Sequence, residues 1–261
     1  MNDSLKDTPH LLLETDNLPE ESLMSHLIEL RSRLMKASLA VIVIFIILMI
    51  FPGQQAIFNF LFNPMVGALA VNGSKIIVTN PTDSFLIPIK LLFLVAFLGA
   101  LPFIFYQIYA FVAPGLYKTE KHLVLPVIIS STVLFFCGTA FCHFIVFAKV
   151  FVFFREVAPT SVSYMPDIAK VFSFVITLFL AFGITFEIPV IVVLLVRLGM
   201  VELSKLRDIR SYVIVAAFII AAIVAPPDVL SQFMLALPMI VLYELGLIAA
   251  QLLNKPNQYT N

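Results

Sequence analysis

The chain has 261 residues, 61% of them apolar and 12% charged, with 26 phenylalanines and a mean hydropathy of +1.05. That is more apolar surface than a water-soluble core of this size can hide, so the sequence reads as an all-α integral membrane protein. The 16 basic and 16 acidic residues cancel, which excludes the basic excess on which nucleic-acid binding depends.

Residues 1–22 are polar and mostly acidic, the wrong sign for the start of a cleavable signal peptide, and read as a flexible tail. Over 23–33, Leu23, Leu27 and Leu30 recur at helical spacing while Ser25, His26, Glu29 and Arg33 gather opposite, the pattern of an amphipathic helix. It is expected to lie along the membrane surface, where Arg31, Arg33 and Lys36 favour anionic lipid, and then to turn into a first span over 34–51. Pro52-Gly53 stops that span. Residues 52–88 mix apolar pieces with Pro64, Gly67, Asn72, Gly73, Asn80 and Pro81, predicting short interfacial helices joined by turns, with Pro64 at one bend.

A second span over 85–108 carries Pro102 and delivers the polar stretch 111–122, in which Pro114 stops the arriving helix. The third span, 123–150, continues towards Phe154, more than the ~20 residues a crossing needs, so it should tilt or project. After a connector with Pro159 and Pro166, a fourth span over 169–198 holds Glu187 near its middle and Pro189 two residues later. The fifth, 211–225, covers only roughly 22 Å against a hydrocarbon core of about 30 Å. The last, 229–253, carries Gln232, Pro238 and Glu244. Six spans in one membrane domain put both termini on one side, and the excess of Lys and Arg there assigns that side to the cytoplasm.

Several polar residues stand out against this background. Glu120, in the cytoplasmic loop, is either an exposed carboxylate for a cationic ligand or a solvated partner of Lys118 and Lys121. Glu187 is the costliest residue in the chain, since a carboxylate at mid-membrane must be protonated, paired or wetted, and it reads as a handle for a partner, a substrate or a proton. Gln232 and Glu244 carry weaker versions of that argument. His143 suits a proton relay or, as a lone histidine on an apolar helix, plain packing. Asp228, after two prolines, is placed to cap the last helix, and Glu29 and Arg33 can pair four residues apart. Cys137 and Cys142 fall on different sides of one helix and read as packing residues. The HExxH, GxSxG and phosphate-loop signatures are missing, as are clustered metal ligands, so no catalysis, cofactor or metal is expected.

His26-Leu27-Ile28-Glu29-Leu30-Arg31, the 111–121 loop, Phe182-Gly183-Ile184-Thr185-Phe186-Glu187-Ile188-Pro189 and Pro226-Pro227-Asp228-Val229-Leu230-Ser231-Gln232 together resemble the TatC family. The resemblance implies a glove-like, concave set of six helices in the bacterial inner membrane. It implies the receptor subunit of the twin-arginine translocase, which exports folded proteins using the proton-motive force. Partners implied are TatA and TatB, further copies of the chain, and twin-arginine signal peptides. Signal binding is implied for Glu120, Glu29 and Arg31 with Phe111, Leu116, Tyr117 and Lys118; intramembrane contacts for Glu187 and Gln232; and a structural role for Pro64. Two other classes compete: a proton-coupled small-molecule transporter using Glu187, and a passive membrane scaffold.

Overall fold

Between Pro19 and Pro52 the sequence contains neither glycine nor proline, and a single helix, α1 (Leu18–Ile50), runs through it. The surface helix expected over 23–33 is therefore continuous with the first span instead of turning into it. The change from polar to apolar residues alters what the helix touches, not its backbone. The structure is a computed structural model, and it describes residues 18–69, 76–112, 124–159, 165–224 and 229–253. At Gly53 the chain takes a left-handed φ of 86°, which only glycine adopts without strain, and its N–H bonds the Leu48 carbonyl at 3.1 Å to close the helix end.

One helix, α2 (Gln54–Leu69), replaces the short pieces expected after it, and position 64 lies inside it. Ile57, Leu61 and Phe62 are buried where α2 meets α3 and α5, so burial of one face holds the element together. The second span, α3 (Asp83–Val112), continues through Pro88 and Pro102. The third comprises α4 (Val124–Phe141), a π-helical turn (Cys142–Val146) and α5 (Phe147–Val157). Its projecting end is not solvated: Phe147, Val150 and Phe151 belong to the main core with Phe172, Phe179 and Phe182 of the next helix. Cys142 is buried and Cys137 exposed, and both are free thiols.

The fourth span is two helices, α6 (Ile168–Phe186) and α7 (Ile188–Arg197), that meet at Glu187. Pro189 has no N–H to continue the ladder. Asp167 caps α6 by accepting from the Ala169 N–H at 2.7 Å. Its neighbours clip α6 to the segment before α3, with Ile77 N–H on the Pro166 carbonyl at 3.1 Å and Ile168 N–H on the Ile77 carbonyl at 2.9 Å. The Thr79 hydroxyl, which donates to the Asp167 carboxylate, and the Ala169 N–H hold that carboxyl below the usual range. A short helix, α8 (Leu203–Asp208), leads to α9 (Arg210–Val224) and α10 (Val229–Leu253). Among the described residues, five helical segments are long and apolar enough to cross a membrane, and α9 is a shorter apolar sixth, as its 15 residues foretold.

Candidate functional site

Because α1 and α3 pack as antiparallel neighbours, the start of one meets the end of the other at the basic end of the protein. His26, Glu29 and Arg33 share one face of α1 by their helical spacing. The His26 and Phe111 rings lie 4.6 Å apart. Arg33 donates to Glu29 Oε1 from Nε at 2.9 Å and from Nη2 at 2.6 Å, while its Nη1 reaches Gln107 Oε1 at 3.4 Å. The pairing expected of Glu29 and Arg33 is thus present and extends to α3. Arg31 is exposed, off that face. Glu120, Leu116, Tyr117 and Lys118 lie outside the described residues, as does Asp228; the described stretch that includes Phe111 ends one residue beyond it.

The intramembrane carboxylate sits near two close helix approaches. A Cβ on Gly138 of α4 would stand 2.6 Å from the Phe182 carbonyl, and one on Gly183 of α6 would stand 2.3 Å from the Phe135 ring. These glycines let α4 and α6 cross in contact, the close approach that small residues permit inside membranes. On the other side, a Cβ on Gly246 of α10 would meet Pro189 Cα at 2.9 Å. Glu187 lies between these contacts and is only 8% exposed. Tyr109 and Ser131 have their hydroxyls 2.9 Å apart, next to the Glu187 carboxyl. Glu187 Oε1 has no hydrogen-bond partner among the described residues. A carboxyl in such a place is a polar group with spare hydrogen-bonding capacity facing protein interior.

Other residues are absorbed structurally. Gln232 donates from Nε2 to the Phe218 carbonyl at 3.1 Å, tying α10 to the short α9, and Glu244 pairs with Arg210 at 2.8 Å. His143 is buried in the π-helical turn, its ring near-parallel to Phe60 and Phe179 at 5.6 and 6.2 Å. Sequence reasoning missed Tyr109, Ser131 and Gln107. Each is a polar side chain inside an apolar span, which is the signal that could have found them. No group of three metal-ligating side chains occurs among the described residues.

Residues 25–238 match the family model described as Sec-independent protein translocase protein (TatC). The chain belongs to the TatC family. It is 50% identical to the Sec-independent protein translocase protein TatC of Halothiobacillus neapolitanus over 89% of its own length, and spans 63% of that relative. Identity to the TatC proteins of Haemophilus influenzae and Escherichia coli is 43% and 45%, covering 88% and 87% of this chain and 89% and 86% of theirs. A crystal structure of the twin-arginine translocase receptor TatC superposes with a TM-score of 0.75 at 33% identity, covering 88% of this chain and all 100% of that one. As a TatC protein it is a multi-span component of the inner-membrane protein translocase and not an enzyme. This supports the translocase reading of the TatC motifs over a small-molecule transporter built on Glu187.

Proposed function

We propose that this chain is the receptor for twin-arginine signal peptides in a TatC-type translocase, with both termini in the cytoplasm. The observation that carries the reading is the meeting of α1 and α3, which sets Glu29 and Phe111 beside the point from which residues 113–123 depart. In this reading the Glu120 carboxylate receives the paired arginines, because a planar guanidinium matches a carboxylate with two parallel hydrogen bonds. Leu116, Tyr117 and Lys118 shape the loop around it. Glu29, already held by Arg33, positions the rim rather than competing for the ligand, and exposed Arg31 sets the charge at its edge.

Once the motif is docked, the apolar part of the signal lies along the membrane-embedded surface near Glu187, which acts from beneath that surface by holding the helices that the signal or a partner helix contacts. Gln232, which also ties α10 to α9, is assigned a contact with a partner helix. TatA and TatB, each a single span with an amphipathic helix, are the partners, several copies of the chain assemble in the receptor complex, and the proton-motive force drives transport. Pro64 and Asp228 serve the scaffold.

A photoreactive side chain at position 117, in the same loop as the intact Glu120, is expected to capture a twin-arginine peptide, and adding Glu120→Lys to reduce that capture at least tenfold by placing like charge opposite the arginines, a difference of about 1.4 kcal/mol or more. Capture at the 76–82 segment instead, or normal export with Glu120→Lys, overturns the assignment.

A further inference from the structure

Three spans that end together at the basic end of the protein leave a slot between them. Pro126 and Ser130 of α4, Val193 and Arg197 of α7, and Ala249 and Leu253 of α10 line it, around a volume of about 360 Å³. The slot runs along α4 from Pro126 to Leu134, about 12 Å of helix. Its walls are apolar and offer little to water. The Ser130 hydroxyl is turned back onto the Val127 carbonyl at 3.0 Å, and among the described residues Arg197 is the one charged residue in the lining.

Arg197 is the last residue of α7, immediately before the turn at which Gly199 takes a φ of 66°. It therefore stands where the helix leaves the hydrocarbon, at headgroup depth. The two ion pairs among the described residues join Arg33 to Glu29 and Arg210 to Glu244, and neither uses Arg197. Positive charge is reinforced along the same end of α10, where Arg207 donates to Gln251 at 2.6 Å.

We propose that this slot binds one acyl chain of an anionic phospholipid, with the lipid phosphate on the Arg197 guanidinium. An apolar channel opening at a cation that no described carboxylate pairs with has the chemistry of a lipid with a net negative head. A zwitterionic head brings its own ammonium to the same place and gains less. The guanidinium fork takes two phosphate oxygens at once, and the acyl chain covers walls that would otherwise face loosely packed lipid. Pro189 forms part of the lining, so the bound chain braces the α6–α7 junction two residues from Glu187.

The chain contains no tryptophan, so Leu253→Trp at the slot is a single-site fluorescent reporter in the otherwise intact protein. In vesicles, quenching by dibrominated phosphatidylglycerol is expected to exceed that by dibrominated phosphatidylcholine by about fivefold in apparent affinity, the contribution of one cation at a membrane surface. Ile219→Trp on the exposed face of α9 is expected to show near-equal quenching. Arg197→Gln in the Leu253→Trp protein is expected to abolish the preference, and Arg197→Lys to keep part of it. Equal quenching at position 253, a preference that survives Arg197→Gln, or protection of the reporter at position 253 from both lipids by a partner helix overturns the proposal. Should Arg197→Gln fail to assemble, salt decides. A preference unchanged between low salt and about 0.5 M is not electrostatic and also overturns it.

Discussion

Where α4 crosses α6, the backbones approach until Gly138 faces the Phe182 carbonyl and Gly183 lies on the Phe135 ring. At the basic end, the tips of α1 and α3 meet through side chains: an arginine between a glutamate and a glutamine, and a histidine on a phenylalanine. Backbone contact at a crossing is all or nothing, because a carbonyl cannot rotate away as a side chain can. Ion pairs at a wet surface exchange partners at small cost. The crossing therefore holds Glu187 in a fixed place, while the basic end can re-pair its charges when a charged peptide arrives.

The sharpest way to break this contrast is Gly138→Ala. The new methyl lies 2.6 Å from a backbone oxygen and 2.9 Å from the Phe186 ring, so one helix has to move. A loss of about 1–3 kcal/mol is expected, the usual cost of overpacking, seen as a lower melting temperature of the purified protein in detergent. Gly99→Ala is the companion, since its methyl meets only Ile44 Cγ2 at 3.4 Å and the helix gains propensity; it should melt as the parent does. Similar losses in both would mean that the crossing is not special.

The spans were legible because hydropathy and length decide what crosses a bilayer, and α9 was legible as short for the same reason. The Glu29–Arg33 pair followed from a spacing of four. The continuity of α1 is not visible in its polarity, which changes near Leu34 without any change of direction, because no residue between Pro19 and Pro52 breaks a helix. Pro189 announced a disturbance, but only packing against Gly246 shows what the break accommodates. Tyr109 and Ser131 are 22 residues apart, and nothing local brings them together. Their meeting depends on how α3 and α4 pack, which periodicity along one helix cannot report.

A smaller effect is expected from the hydroxyl pair beside Glu187. A double-mutant cycle between Tyr109→Phe and Ser131→Ala isolates their interaction from the packing around it. Hydrogen bonds between membrane helices average about 0.6 kcal/mol in such cycles, and a coupling near that value is expected in thermal or denaturant unfolding. Coupling near zero would detach the pair from the fixed frame around Glu187 and narrow that frame to the glycine contacts.

The smallest change in stability and the most informative in function belongs to Glu29→Gln. The Glu29–Arg33 pair is half-exposed, with its side chains 34% and 24% accessible, and a pair four apart on a helix contributes about 0.3–0.5 kcal/mol, less at high salt. Melting should therefore barely move. Arg33, however, is left as a free cation beside Gln107, near where the twin-arginine motif is proposed to dock, and peptide capture by the photoreactive side chain at position 117 should fall. Adding Arg33→Gln removes that cation and should restore capture without restoring any stability. If Glu29→Gln instead destabilises the protein as Gly138→Ala does, the basic end is as rigid as the crossing. If capture stays low in the double variant, the glutamate itself contacts the peptide and is more than a support for the rim.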